Sequence, residues 1–317
     1  MTWVLICLLA LVFLFFLTTF VCFMLTFYSK KRKILGEDEF EIPRGRVYEQ
    51  YKDKIVAWSR QARKSYSEHL SIKSHDGLTL RAKYYEYKKG AITELLFNGY
   101  RGSAERDLSA AIERCFALGH NALLIDQRSS GRSDGHIITF GIRESQDCLA
   151  WVDFATKKFG EDCRLMISGV SMGASTVLLA AGKKLPKNVV CALGDCPYSS
   201  ARDIIKTVLR ALKLPAFLYF FIRAGGLIYG GFDVNTADVK KSLEHACVPV
   251  ILLHGDGDRF VPCEMSRELF DACTSKKKLV VIKDAPHGLA YPVDPELYLS
   301  SLESFVGECD GSDKACE

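Results

Sequence analysis

The sequence predicts an α/β chain: a mostly parallel sheet with helices on both faces, carried behind one apolar N-terminal helix. Three observations lead there. From about position 70 onward, short apolar runs alternate with longer amphipathic stretches, the pattern of a parallel sheet wound with helices. A glycine-flanked turn, Gly169-Val-Ser-Met-Gly173, joins one of the apolar runs to a helical pattern. Residues 1–29 contain no charged side chain, although the chain carries 42 Lys+Arg and 38 Asp+Glu, so this segment is built for a different environment from the rest.

Residues 3–28 contain no charge, glycine or proline. As a helix they would extend ~39 Å at ~1.5 Å per residue, enough to cross a hydrocarbon core of ~30 Å with some tilt. The stretch is too long for a signal peptide and lacks a basic start and a small-residue cleavage site. Residues 1–29 are therefore expected to be a transmembrane anchor. Lys30, Lys31, Arg32 and Lys33 follow directly, and a positive flank of this kind stays on the cytoplasmic side. Twelve cysteines without a CxxC pair, in a chain without an N-x-[ST] sequon, read as buried free thiols in a reducing compartment. The near-balanced charge offers no basic stripe, so nucleic acid is not expected as a partner.

Residues 30–63 read as a basic flank and linker with one short helix, and residues 64–317 as the folded domain; a chain starting near Gly36 is expected to be soluble. Residues 70–73 and 79–87 alternate around the turn His75-Asp76-Gly77, an antiparallel hairpin at the sheet edge. Strands are expected at 94–97, 122–125, 165–167, 189–193, 250–253 and 278–282, and helices at 104–118, 144–159, 172–184, 264–272 and 295–306. One stretch breaks the alternation. Residues 199–242 contain no strand pattern but hold the very apolar run 212–222, followed by Gly225-Gly226 and Gly230-Gly231. This is read as a helical cap insertion over the site, with Phe217 and Phe221 binding the acyl part of a substrate and the glycine pairs as hinges.

The turn at Ser171 carries the chemistry. Between a strand and a helix, G-x-S-x-G places the serine on a tight bend with its hydroxyl exposed and the following helix N-terminus nearby. A serine hydroxyl needs an imidazole to take its proton and a carboxylate to orient that imidazole. In this type of site they follow in the order serine, acid, histidine. Asp258, in His254-Gly-Asp-Gly-Asp258, lies just after one strand, and His287 just after the next. Asp256 is the competing acid. His254, at a strand end, reads as structural, and the other histidines stand apart from these motifs. G-x-x-x-x-G-K-[ST], H-E-x-x-H and clustered His/Cys sets do not occur, so neither a cofactor nor a metal is expected.

These motifs resemble those of the α/β-hydrolase superfamily, within its lid-bearing serine aminopeptidase-like and lysophospholipase-like group. The group's H-G-x-x-D-x-x-V-P pattern is matched by His254, Gly255, Asp258, Val261 and Pro262. Its D-x-R-x-x-G-x-S run is matched by Asp126, Arg128, Gly131 and Ser133, and the likeness extends over residues 70–306. The resemblance implies the α/β-hydrolase fold and Asp258 as the acid. It also implies an oxyanion hole built from the backbone N–H groups of Met172 and Tyr100, with Arg101 the alternative to Tyr100. At that loop the usual His-Gly is Asn98-Gly99 here. The expected function is a membrane-anchored serine hydrolase, of carboxylesterase or lipase type, cleaving an acyl or lipophilic ester through an acyl-Ser171 intermediate. Its expected partners are a small-molecule or lipid ester substrate and the bilayer. An amidase or aminopeptidase with the same triad, and a catalytically silent binding protein, are the competing expectations.

Overall fold

The computed structural model describes residues 2–30, 35–36, 38–43 and 45–310. Lys31, Arg32 and Lys33, which carry the expected membrane orientation, lie outside the described residues. The chain begins with the long apolar helix α1 (Thr2–Phe27), then α2 (Arg46–Glu49) and α3 (Lys52–Lys64). The hairpin β1 (Glu68–Lys73) and β2 (Thr79–Tyr85) leads into β3 (Thr93–Phe97), α4 (Ala104–Ala117) and β4 (Asn121–Asp126). Next come α5 (Glu144–Phe159), β5 (Leu165–Val170), α6 (Met172–Ala181) and β6 (Val189–Asp195). The insertion holds α7 (Ala201–Ala211), α8 (Leu218–Gly225), a π turn over Gly226–Gly230 and α9 (Val239–Leu243). Finally come β7 (Val250–Gly255), α10 (Glu264–Ala272), β8 (Lys277–Ile282), α11 (Ala290–Val293) and α12 (Pro295–Asp310).

The eight strands form one sheet in the order β1-β2-β4-β3-β5-β6-β7-β8. β1 and β2 form an antiparallel edge, and the other six run parallel. Strands β3, β6 and β7 are buried at every residue, because helices cover both faces, and this is why they read as unbroken apolar runs rather than alternating ones. Trp151 of α5 and Val177 of α6 fill one face, while Ile112 of α4 and Phe305 of α12 fill the other. Parallel strands leave the sheet at a common edge, and the strand order reverses beside β3, so the loops after β3 and β5 flank the crevice where such sheets place their ligands.

Two expectations are corrected here. The folded domain reaches back to Lys52 instead of starting at residue 64. Helix α3 is amphipathic and buries Ile55, Trp58 and Ala62; Trp58 Nε1 donates to Glu113 Oε2 at 2.8 Å and Arg63 pairs with Glu105 at 2.7 Å, both on α4. Helix α1 is also not independent of the domain. Phe27 is fully buried, its ring edge-on to Phe140 and Phe232 at 5.9 and 5.0 Å. A chain starting at Gly36 would lack Phe27 and leave Phe140 and Phe232 without its ring, so the apolar run before residue 30 is partly domain core.

Candidate active site

β5 ends at Val170 and α6 begins at Met172, so Ser171 makes the turn alone, at φ 55. A non-glycine residue held there stores strain of about 1–3 kcal/mol. The flanking glycines make the bend possible: a Cβ on Gly173 would run into the Phe97 carbonyl, and one on Gly169 into the backbone of Gly173. The Ser171 N–H donates to the Asp195 carbonyl at 2.8 Å, fastening the bend to the end of β6.

His287 lies on the loop after β8, with Nε2 3.0 Å from Ser171 Oγ and Nδ1 2.6 Å from Asp258 Oδ2. Asp258, on the loop after β7, accepts the backbone N–H groups of Phe260 and Val261 on Oδ1 at 2.8 and 2.9 Å. Its burial pushes the carboxyl up, but contacts with His254 and His287 outweigh that and hold it well below the usual carboxylate range. His254 is fully buried between Ser266 Oγ and the Val261 carbonyl, and its Nε2 lies 3.3 Å from Asp258 Oδ2. That last contact was not visible in the sequence. The competing Asp256 is exposed and accepts the Asp284 N–H at 2.5 Å. The structure therefore sets Asp258, not Asp256, against the imidazole. Cys196 Sγ lies within 4.8 Å of the facing Asp258 and His287 atoms, and burial raises its thiol well above the ordinary value.

The loop after β3 is braced from behind. The Asn98 amide donates to Ser130 Oγ at 2.8 Å and its Oδ1 accepts the Gln127 N–H at 3.0 Å, so this side chain points into the fold. Gly99 N–H is committed to Asp107 Oδ2 at 3.0 Å. The next N–H belongs to Tyr100, which lines the same cavity as Ser171. Met172 N–H stands at the first position of α6, where a helix supplies no acceptor of its own. The Asp126-to-Ser133 motif supports this loop and does not enter the site. Asp126 accepts the N–H groups of Ala104 and Arg132, and Arg128 grips Asp147 and Asp76.

The cavity at Ser171 measures about 190 Å³ and is lined by Tyr48, Trp58, Tyr100, Val170, Phe260 and Leu289, among others. Its roof comes from α2 and α3. Tyr48 OH donates to the His287 carbonyl at 2.8 Å, and burial, then the nearby Cys196 and the Asp258 and Asp107 carboxylates, push its hydroxyl well above the usual range. No described residue from 199–242 lines this cavity. The assignment of Phe217 and Phe221 to an acyl pocket is therefore corrected. Phe221 faces Phe15 of α1 at 5.9 Å, Phe217 stands beside Phe221 at 6.3 Å, and α1 offers the aromatic run a larger apolar surface than the cavity does. Gly225 is the point of close approach to the backbone of Thr19.

Helix α1 ends at the site. Tyr100 OH donates to the Thr26 carbonyl at 2.6 Å, and Arg101 Nη2 donates to the carbonyls of Leu25 and Tyr28 at 2.9 and 2.6 Å. These carbonyls fall at the last turn of α1, where a helix leaves its acceptors unpaired and favours a cation.

No protein-family model matches the chain. Among curated proteins it is 25% identical to the uncharacterized protein YqkD of Bacillus subtilis over 201 residues, 62% of this chain and 65% of YqkD. It is 24% identical to palmitoyl-protein thioesterase ABHD10 of Mus musculus over 241 residues, 70% of this chain and 78% of ABHD10. The solved structure of the Pyrococcus furiosus esterase Pf2001 superposes with a TM-score of 0.66 at 23% identity, covering 89% of this chain and 98% of the esterase. The sheet order, the strained serine between β5 and α6 and this likeness agree, and the chain has the α/β-hydrolase fold.

Proposed function

We propose that the protein is a membrane-anchored serine hydrolase that cleaves a carboxylic ester with a lipophilic acyl group, its domain on the cytoplasmic side. The observation that carries this reading is the hydrogen-bonded chain from Ser171 through His287 to Asp258 on a strained bend. In the reaction, Ser171 Oγ attacks the ester carbonyl carbon while His287 Nε2 takes the hydroxyl proton. Asp258 holds the imidazole by Nδ1 and stabilises its charged form. The N–H groups of Met172 and Tyr100 receive the negative charge that develops on the carbonyl oxygen. Collapse breaks the bond to the alcohol, which leaves with the proton from His287. A water activated by the same imidazole then cleaves acyl-Ser171, releasing the acid and restoring the hydroxyl.

A lipophilic substrate is favoured by the bonds between the Tyr100–Arg101 loop and the end of α1, which put the site at the membrane boundary if α1 spans the bilayer. The cavity is smaller than the ~300–1,000 Å³ of typical small-molecule pockets, so a bulky substrate requires Tyr48 to move. The test is labelling of the full chain in membranes with a fluorophosphonate, followed by a comparison of p-nitrophenyl esters with aminoacyl amides. Labelling abolished by Ser171→Ala, with ester turnover exceeding amide turnover, is the expected result. A chain left unlabelled, or label retained by Ser171→Ala, would overturn the assignment, and faster amide cleavage would overturn the ester.

A further inference from the structure

The insertion expected to cover the site packs instead along α1, from Phe27, where α1 meets the domain, back to Phe15. The ring of Phe15 faces those of Phe220 and Phe221 at 6.3 and 5.9 Å. Tyr229 OH donates to the Phe16 carbonyl at 2.9 Å, and its ring meets Phe20 and Phe23 at 5.4 and 5.7 Å. A Cβ on Gly225 would approach the Thr19 carbonyl oxygen to 2.6 Å; small residues at such points are how helices pack closely within lipid.

The depth of these contacts decides what surrounds them. Phe15 stands twelve residues before Phe27, the last residue of α1, a rise of ~18 Å along a helix. Half of a hydrocarbon core is ~15 Å. Trp3 and Tyr28, the kind of residues that mark the two membrane boundaries, are equally far from the Phe15–Phe16 peptide bond. If α1 spans the membrane, α8 lies beside its central turns, and the medium around the free side of α1 at that height also meets the outward side of α8.

The composition of the element suits that medium. Leu214, Phe217, Phe220, Leu227 and Ile228 are all exposed. Between residues 214 and 232 there is one charged side chain, Arg223, and it is held by both Asp233 oxygens at 2.9 and 2.6 Å. Of the other cations of the insertion, Arg202, Lys206, Arg210 and Lys213 precede the run and Lys240 and Lys241 follow it, so the apolar run is flanked by cations at both ends. An apolar surface of this extent is uncommon on a protein facing water.

We infer that α8 and the π turn after it are embedded among the acyl chains of the leaflet next to the domain, packed against the inner half of α1. The element enters and leaves on one side, so the chain is held in the membrane by a span and a half-depth wedge. This inference rests on reading α1 as a transmembrane helix, and the test separates the two. The full chain is reconstituted in phosphatidylcholine nanodiscs with p-benzoylphenylalanine in place of Phe220, Ile228, Leu9 or Leu297, one at a time. Leu9 reports on α1, and Leu297, an exposed residue of α12, reports on the domain surface. After irradiation, mass spectrometry identifies the adducts. Acyl-chain adducts at 220 and 228 at the level found at 9, with none at 297, are expected. Adducts at 9 without adducts at 220 and 228 would overturn the wedge and keep the anchor. The absence of adducts at 9 would overturn both. Crosslinks from 220 and 228 to a second chain would overturn the wedge by showing that another copy covers this surface. Unchanged thermal unfolding of each labelled chain shows that the fold is kept.

Discussion

Two segments lie outside the sheet on the side of the reactive serine, and they exchange the roles their compositions suggest. Residues 199–242 are aromatic and apolar, residues 43–58 are polar and charged, yet the second roofs the cavity at Ser171 and the first turns to α1. The difference teaches that apolar composition announces burial but not the partner. Roofing a cavity of about 190 Å³ takes a few well-placed groups, here Tyr48 and Trp58, and the rest of α2 and α3 is free to be polar. Packing along a 26-residue apolar helix takes an element that is apolar on several sides.

Substitutions can break or sharpen this comparison, and the largest effect belongs to the floor of the cavity. Asp258→Asn should lower kcat on the order of 10⁴-fold through loss of the correct imidazole tautomer, measured with an activated ester. The depressed carboxyl of Asp258 stays ionised as pH falls below the ordinary carboxylate value of about 3.9. Its contribution to stability is therefore present above the unfolded value and is lost only as pH falls through the lower folded one. The acid limb of the wild-type profile in mildly acidic buffer accordingly comes from another group, and Asp258→Asn should lower the plateau without removing that limb. A limb that disappeared in the variant would contradict this.

Next in size is the contact of α1 with the domain and the insertion. Phe27→Ala removes a fully buried ring from between Phe140 and Phe232 and should cost about 3–5 kcal/mol of stability, read as a lower Tm in nanodiscs. An unchanged Tm would mean that α1 and the domain are independent. The roof comes third. Tyr48→Phe deletes the hydrogen bond to the His287 carbonyl, net about 1 kcal/mol, and should lower kcat/KM about fivefold on that scale with the fold intact. The smallest effect is expected at the exchanged position. Phe217→Ser should leave hydrolysis of acetyl and decanoyl esters equally close to wild type, because its ring does not reach the cavity. A loss confined to decanoyl esters would return the insertion to the pocket.

The order of strands and helices was legible because each parallel strand writes a short apolar run and each helix a longer amphipathic one. The helices over 144–159 and 264–272 match α5 and α10 to the residue. Ser171, Asp258 and His287 were legible because each sits just past a strand end, where a local motif suffices to place it. Tyr48 was not legible: it meets His287 239 positions later in the chain, and nothing near it in sequence marks it as a roof. The protein-facing stripe of α1, with Thr19, Phe23 and Phe27 buried, was hidden for another reason. In a segment that is apolar at every turn, no periodicity distinguishes the side that touches protein from the side that does not.

The bonds from Tyr100 and Arg101 to the last carbonyls of α1 have a mechanical consequence. A transmembrane helix longer than the local hydrocarbon thickness tilts to fit it. With a slack connection that tilt would stop at the end of the helix. Here the helix end is fastened to the loop beside the serine, so if α1 spans a bilayer, a change in tilt would turn the whole domain and change the angle at which the cavity mouth meets the lipid surface. Bilayer thickness would then act on the domain as a lever acts on a hinged plate, without any ligand being bound.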